Sequence, residues 1–161
     1  MSSLNFTNIL TQTVDELSES TSYKGLIRQH TDGNPLPSGA MLCEIVELAR
    51  AILFPGYFGN ATLNSRTINY HIGVNVERLM ELLTQQILAG LCSVEENSNQ
   101  AYGEELRLKA ANLSAQFIAQ LPQIRKLLAT DVEAAYNGDP AATSYGEVIS
   151  CYPAIKAISN Y

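Results

Sequence analysis

The sequence predicts an all-α fold: a multi-helix bundle of about six to seven helices with no β-sheet. Three observations carry that expectation. Apolar residues recur at spacings of three and four through most of the chain, the period of a helix that buries one face. No segment alternates apolar and polar residues at period two, as a half-buried strand does. Clusters of Pro, Gly, Asn, Asp and Ser separate the apolar runs, most densely in residues 121–161, and these residues start and stop helices.

Residues 1–20 read as a first helix. Leu4, Ile9, Leu10, Val14 and Leu17 fall on one face, with Asp15, Glu16 and Glu19 elsewhere. A polar linker comes next, in which Asp32-Gly33-Asn34-Pro35 and Pro37 are turn chemistry and Leu26 and Ile27 anchor the middle. Residues 1–35 are thus a helix plus linker, and residues 36–161 a helical domain. Ser38 is a good N-cap for the second helix. Leu42, Ile45, Val46, Ala49, Ile52 and Leu53 make its apolar stripe, and Pro55-Gly56 ends it. Phe54, Tyr57 and Phe58 then form an aromatic corner that fills the space between two helices; ligand stacking is the alternative use of such rings.

Residues 61–93 read as the longest helix. Ile68, Ile72, Val76, Leu79, Leu83, Ile87 and Leu91 form its stripe, widened by Met80 and Leu82. Gly73 inside it costs about 1 kcal/mol against Ala, which points to a kink or a close helix contact. A stripe of that length needs a bundle neighbour or another subunit. Residues 93–100 are a polar loop. The helix over residues 101–121 turns Leu106, Ala110, Leu113, Phe117, Ile118 and Leu121 inward. Pro122 suits a helix start, Ile124, Leu127 and Leu128 continue the apolar face, Asp131 caps a short helix, and Asn137-Gly138 ends it. Ser144 with Glu147 reads as a capping box. Tyr152-Pro153 restarts the chain, which finishes in the apolar pattern AIKAISNY, a surface expected either to have lost what it would pack against or to pack on a partner.

The 161 residues carry 10 Lys and Arg against 16 Asp and Glu, a net charge of −6. That balance excludes a nucleic-acid partner, whose phosphates need a basic face, and an anionic membrane surface. No apolar run reaches the ~18 residues of a membrane span, and no secretory leader pattern is present, so a cytoplasmic location is expected. Cys43, Cys92 and Cys151 have neither disulfide nor zinc spacing and read as small apolar core or interface residues. His30 and His71 are the two histidines, too few for a metal site. His71 has no carboxylate at i±4 and reads as a surface or boundary residue. No dinucleotide, P-loop, metalloprotease, nucleophile-elbow or calcium-loop motif occurs, so no catalytic residue, metal ligand or cofactor site is assigned.

Asp139 is the one residue singled out. It succeeds Asn137-Gly138 and precedes Pro140-Ala141. As an N-cap its carboxylate would accept backbone N–H groups of the next turn, worth about 1 kcal/mol.

The stretch ATDVEAAYNGDPAATSY with the later CYPAI resembles the segment of serine O-acetyltransferases that joins their helical domain to a left-handed β-helix. LPSGAMLCEIVELARAILFPGYFG and the YHIG and ERLMELLTQQI runs resemble the helical domain of the longer bacterial type. The resemblance covers residues 36–161. It implies acetyl transfer from acetyl-CoA to the hydroxyl of L-serine, in cysteine biosynthesis. It also implies that Asp139, in the matching Asp139-Pro140-Ala141 element, helps to hold the amino group of serine. Asp131 matches a second recurrent aspartate of the family and reads as a cap.

The family's histidine base, its acetyl-CoA site and its hexapeptide coils have no counterpart in these residues, nor does the tail that docks into cysteine synthase. The expectations are therefore specific. Acetyl-CoA is a co-substrate of the family, with no cofactor held by these residues. L-serine and acetyl-CoA bind only with a β-helix domain, and cysteine synthase is not expected to dock. The isolated chain is expected to be inactive, as a truncated or excised domain or a natural short form. Its own role would be self-association as a homo-oligomer through helices within residues 36–121. The alternative function is a non-catalytic helical oligomerisation or regulatory module.

Overall fold

The computed structural model describes residues 6–24, 36–59, 62–94 and 103–158. Among them are seven helices and no strand; Pro55 and Phe58 make one isolated bridge. The all-α expectation holds. Leu4, Leu26, Ile27, His30, the Asp32–Pro35 turn, most of the 93–100 loop and the final residues 159–161 lie outside the described residues.

The chain divides into two units, residues 1–33 and residues 34–161. The first contains α1 (Phe6–Ser18) and the short α2 (Ser20–Tyr23). The predicted stripe of α1 exists, but none of its residues is buried: Ile9, Leu10, Val14 and Leu17 all face outward.

The second unit contains α3 (Gly39–Leu53), α4 (Ile68–Val94), α5 (Glu104–Gly138), α6 (Tyr145–Cys151) and α7 (Pro153–Ile158). Ser38 caps α3 as predicted, its hydroxyl accepting from the Met41 N–H at 3.3 Å. The helix stops where Phe54 returns its N–H to the Arg50 carbonyl at 2.9 Å, just before Pro55. Gly56, at φ +88°, then turns the chain through a region that side chains rarely adopt. The aromatic corner forms as a packing device. Phe54 is buried and meets Phe58 edge to face at 5.9 Å, and the Arg50 guanidinium lies 4.1 Å from the centre of the Phe58 ring.

On α4 the buried line is Leu79, Leu82, Gln86, Ala89 and Cys92, rotated from the predicted stripe. Ile68, Ile72, Val76, Leu83, Ile87 and Leu91 are only partly covered. Gln86 is tolerated inside because its amide is used. Oε1 accepts the Ser38 N–H at 2.7 Å, so a residue of α4 holds the start of α3. Gly73 gives no close helix contact, since an added Cβ there would meet nothing within 4 Å.

The longest helix is α5, 35 residues, not the one over residues 61–93. It runs through Pro122, expected to start a new helix, and past Asp131, which is exposed and caps nothing. Its buried residues, Ala110, Ser114, Leu121, Leu128 and Val132, recur at spacings of four and seven on both sides of the proline. Ser114 is fully buried, with its hydroxyl turned back onto the Ala110 carbonyl at 2.9 Å. Leu113 and Phe117, expected inward, are 40% and 39% exposed. Along its length α5 packs against α3, α4, α6 and α7. Leu53, Leu79, Leu82, Leu121, Leu128, Val148 and Ile155 form one core. Arg125 crosses from α5 to the end of α3, donating to the Ile52 carbonyl.

Truncating a fully buried core leucine removes apolar burial and leaves a void. Leu82→Ala is expected to cost about 2–5 kcal/mol. Leu127→Ala, on the exposed face of α5, is expected to change stability by less than about 0.5 kcal/mol. Thermal or denaturant melts of the two variants check this.

Candidate functional site

The site grows from the end of α5. Asn137 and Gly138 close the last turn, and Asp139 leaves the helix in extended backbone, φ −116° and ψ 105°. Asp139 is therefore the C-cap of α5; no helix starts directly after it, but its carboxylate accepts a backbone N–H of the next turn, as expected. The chain then makes a turn, in which the Ala142 N–H returns to the Asp139 carbonyl at 3.0 Å. The Asp139 side chain reinforces it, Oδ1 accepting the Ala141 N–H at 2.9 Å. Aspartate favours such two-residue loops because its short carboxylate mimics a backbone acceptor.

The second carboxylate oxygen has a distant partner. The Tyr152 hydroxyl donates to Asp139 Oδ2 at 2.5 Å, across 13 residues of sequence. Tyr152 is the C-cap of α6, and its own N–H returns to the Val148 carbonyl. Pro153 is next, which disfavours helical backbone at the residue before it; Tyr152 accordingly sits at φ −76° and ψ 121°. Buried Val148, Ile149 and Ile155 anchor the elements on either side, and Tyr152 packs against the same core.

Between these two anchors lies the predicted capping box, shifted by one residue. The Ser144 hydroxyl accepts the Glu147 N–H at 3.2 Å, as expected. The reciprocal arm goes to Thr143. Glu147 Oε2 accepts from the Thr143 N–H at 2.8 Å and from its hydroxyl at 2.6 Å. Residues 139–152 thus form a closed hydrogen-bonded segment at the end of the longest helix.

Hydrogen bonding to the charged form favours it. The Tyr152 hydroxyl, and then the Ala141 N–H, hold the Asp139 carboxyl below its usual range. The Thr143 hydroxyl and N–H do the same for Glu147. The Tyr152 phenol is pushed up to about 12, first by its bond to Asp139. A carboxylate offers about four lone-pair positions, and the contacts described use two on Asp139. The remainder can accept from a cation with several N–H donors, such as a primary ammonium.

The other candidates do not join this site. His71 lies on α4 with Nε2 3.0 Å from the Asn75 amide. No disulfide joins Cys43, Cys92 and Cys151, and no group of His, Cys, Asp or Glu among the described residues has the arrangement of a metal site. A groove of about 430 Å³ opens between the end of α3, α5 and α6, lined by Leu53, Phe54, Tyr57, Arg125, Val132 and Ile149 among others. Asp139, Glu147 and Tyr152 are not part of its lining. Sequence reasoning missed Tyr152 and Thr143 as partners. The only available signal was the CY pair preceding Pro153, which reads locally as a helix restart.

These shifts bear on opposite ends of one stability profile. The Asp139 and Glu147 contributions are present above the unfolded carboxyl values of about 4 and are lost as pH falls through their lowered folded values. The Tyr152 contribution is present below about pH 10 and is lost as pH rises through about 12. Tyr152→Phe is expected to lower the melting temperature most on the plateau between these limits. The difference from the wild type should shrink toward both extremes. Melts across the pH range check it.

No family model matches the chain. A serine acetyltransferase of Synechococcus elongatus, "Serine acetyltransferase, plasmid", is 40% identical over 127 residues, which is 78% of this chain and 40% of that relative. The chain therefore spans well under half the length of the relative it matches. No helix among the described residues is long and apolar enough to cross a membrane. The similarity extends over most of the chain and is not confined to one short motif, and by it the chain belongs to the serine acetyltransferase family.

Proposed function

We propose that these residues are the helical domain of a serine O-acetyltransferase, which transfers the acetyl group of acetyl-CoA to the hydroxyl of L-serine in cysteine biosynthesis. In this reading the domain does two things. It joins copies of the protein through its helices, and it lends Asp139 to the serine site. Asp139 carries the reading: its carboxylate is ionised, fixed by the Ala141 N–H and the Tyr152 hydroxyl, and has lone pairs left for the substrate ammonium. A carboxylate held this way orients serine electrostatically and takes no proton from it. The hydroxyl proton passes to a general base, which the hexapeptide coils of the family supply, together with the acetyl-CoA site. The setting is cytoplasmic.

The assembly role is supported by apolar side chains that the second unit leaves outside. Tyr70 and Val74 on α4 are 81% and 62% exposed, and with Asn69, Gly73 and Glu77 they line a shallow groove. On α5, Leu108, Leu113 and Phe117 are exposed as well. Exposed apolar side chains are the raw material of interaction sites.

Two measurements test the proposal. Sedimentation of the 161-residue chain at micromolar concentration should give an oligomer; a clean monomer would remove the assembly role. In the full-length protein, Asp139→Asn should raise KM for L-serine about 10- to 100-fold, in keeping with a hydrogen bond to a charged group, and leave KM for acetyl-CoA unchanged. An unchanged KM for serine would take Asp139 out of the substrate site.

A further inference from the structure

We infer that Tyr152 is a positioning residue for the serine site: its hydroxyl clamps Oδ2 of Asp139 so that the carboxylate keeps one aim toward the substrate ammonium. The inference rests on the reading of Asp139 given above and extends it to a residue that does not itself touch substrate.

The geometry favours a clamp over an incidental contact. Asp139 stands alone at the end of a helix, and a side chain with two free torsions there would sample several rotamers. Its turn holds Oδ1 through Ala141, but one bond leaves the carboxylate free to pivot about that oxygen. The Tyr152 hydroxyl at 2.5 Å from Oδ2 removes the pivot. Tyrosine suits this work because its ring is rigid and only two torsions need to be fixed. Here the backbone of Tyr152 is fixed by the preceding helix and by Pro153, and the ring packs against the core. Substrate-binding groups gain from such support, since a carboxylate that wanders binds its ammonium less well.

The direction of the hydrogen bond matters too. With its phenol proton retained, Tyr152 can only donate to an ionised Asp139, so the clamp selects the charge state that binds an ammonium. The other charged or titratable groups acting on the phenol are Glu147 and Cys151. Glu147 is committed to Thr143 and does not replace Asp139 as the acceptor.

The alternative is a purely structural latch tying α5 to the α6–α7 junction. The two roles separate in Tyr152→Phe, which keeps the ring and removes the hydroxyl. In the full-length protein, positioning predicts that KM for L-serine rises about tenfold, the equivalent of ~1.4 kcal/mol, with kcat changed less than about threefold and KM for acetyl-CoA unchanged. The Asp139→Asn/Tyr152→Phe double variant should be no worse for serine than Asp139→Asn alone, because the clamp acts only through that carboxylate. A latch predicts a lower melting temperature with KM for serine unmoved, and that result overturns the inference.

If Asp139→Asn itself leaves KM for serine unchanged, the substrate-site reading fails and the role of Tyr152 fails with it. If only Tyr152→Phe is without effect, the reading of Asp139 stands and the clamp does not. Should Tyr152→Phe not fold, the wild-type protein decides by carbon-13 NMR: an Asp139 carboxyl that titrates in the ordinary aspartate range overturns the clamp, and one that titrates below it supports the clamp.

Discussion

The second unit depends on α5 staying one helix. At 1.5 Å per residue its 35 residues span about 50 Å, and α3, α4, α6 and α7 all pack against it. A proline inside a helix removes one backbone hydrogen bond and crowds the preceding turn, at about 3 kcal/mol or more. Leu121, Leu128 and Val132 are buried beside and beyond Pro122. Each contributes roughly 1.5–3 kcal/mol on leaving water, so breaking the helix at the proline would forfeit more than it relieves. The exposed position of Pro122 itself leaves the buried face unobstructed.

That continuity has a consequence for the site. Asp139 is where it is because the helix does not stop at residue 122 and the core holds the last turns in place through Leu128 and Val132. The segment from Asp139 to Tyr152 contributes little burial of its own beyond Val148 and Ile149. Its order comes from hydrogen bonds that each close a short loop: Asp139 with Ala141, Ser144 with Glu147, Glu147 with Thr143, Tyr152 with Asp139. Exposed bonds of this kind are individually weak. They are effective here because both ends of the segment are anchored in the core, so little chain entropy remains for them to overcome.

Much of this is legible in the residues. Helical period, the Ser38 cap, the Pro55-Gly56 stop and the Asn137-Gly138 end all appear where sequence rules put them. The departures have physical causes. Local propensity makes Pro122 a piece of punctuation because it ignores an apolar stripe that resumes beyond it. The inward face of α4 is rotated from its apolar stripe because Gln86, polar by type, becomes a core residue once the Ser38 N–H reaches its amide. Size alone would put Leu113 and Phe117 inside with Ala110; Ala110 is buried as expected, but small Ser114 is the residue buried beside it. Asp139 stands out in the sequence, but its partner does not. No local pattern links residues 139 and 152, since their meeting depends on how α6 turns back.

The same physics bears on what the helices are for. A 13-residue helix sits at the margin of stability in water on its own, and α1 has no buried residue while presenting Phe6, Leu10, Val14 and Leu17 to solvent. Such a helix persists when its apolar face is covered. The exposed rings and aliphatics of α4 and α5 make the same demand on a different unit. The described residues thus combine a closed core through Leu79, Leu82 and Val148 with apolar faces left outside it. The Asp139 carboxylate at the end of the longest helix is likewise left with acceptor positions to spare. Its position is set by the Ala141 N–H on one oxygen and the Tyr152 hydroxyl on the other, so the same helix that completes the core also fixes where the carboxylate stands.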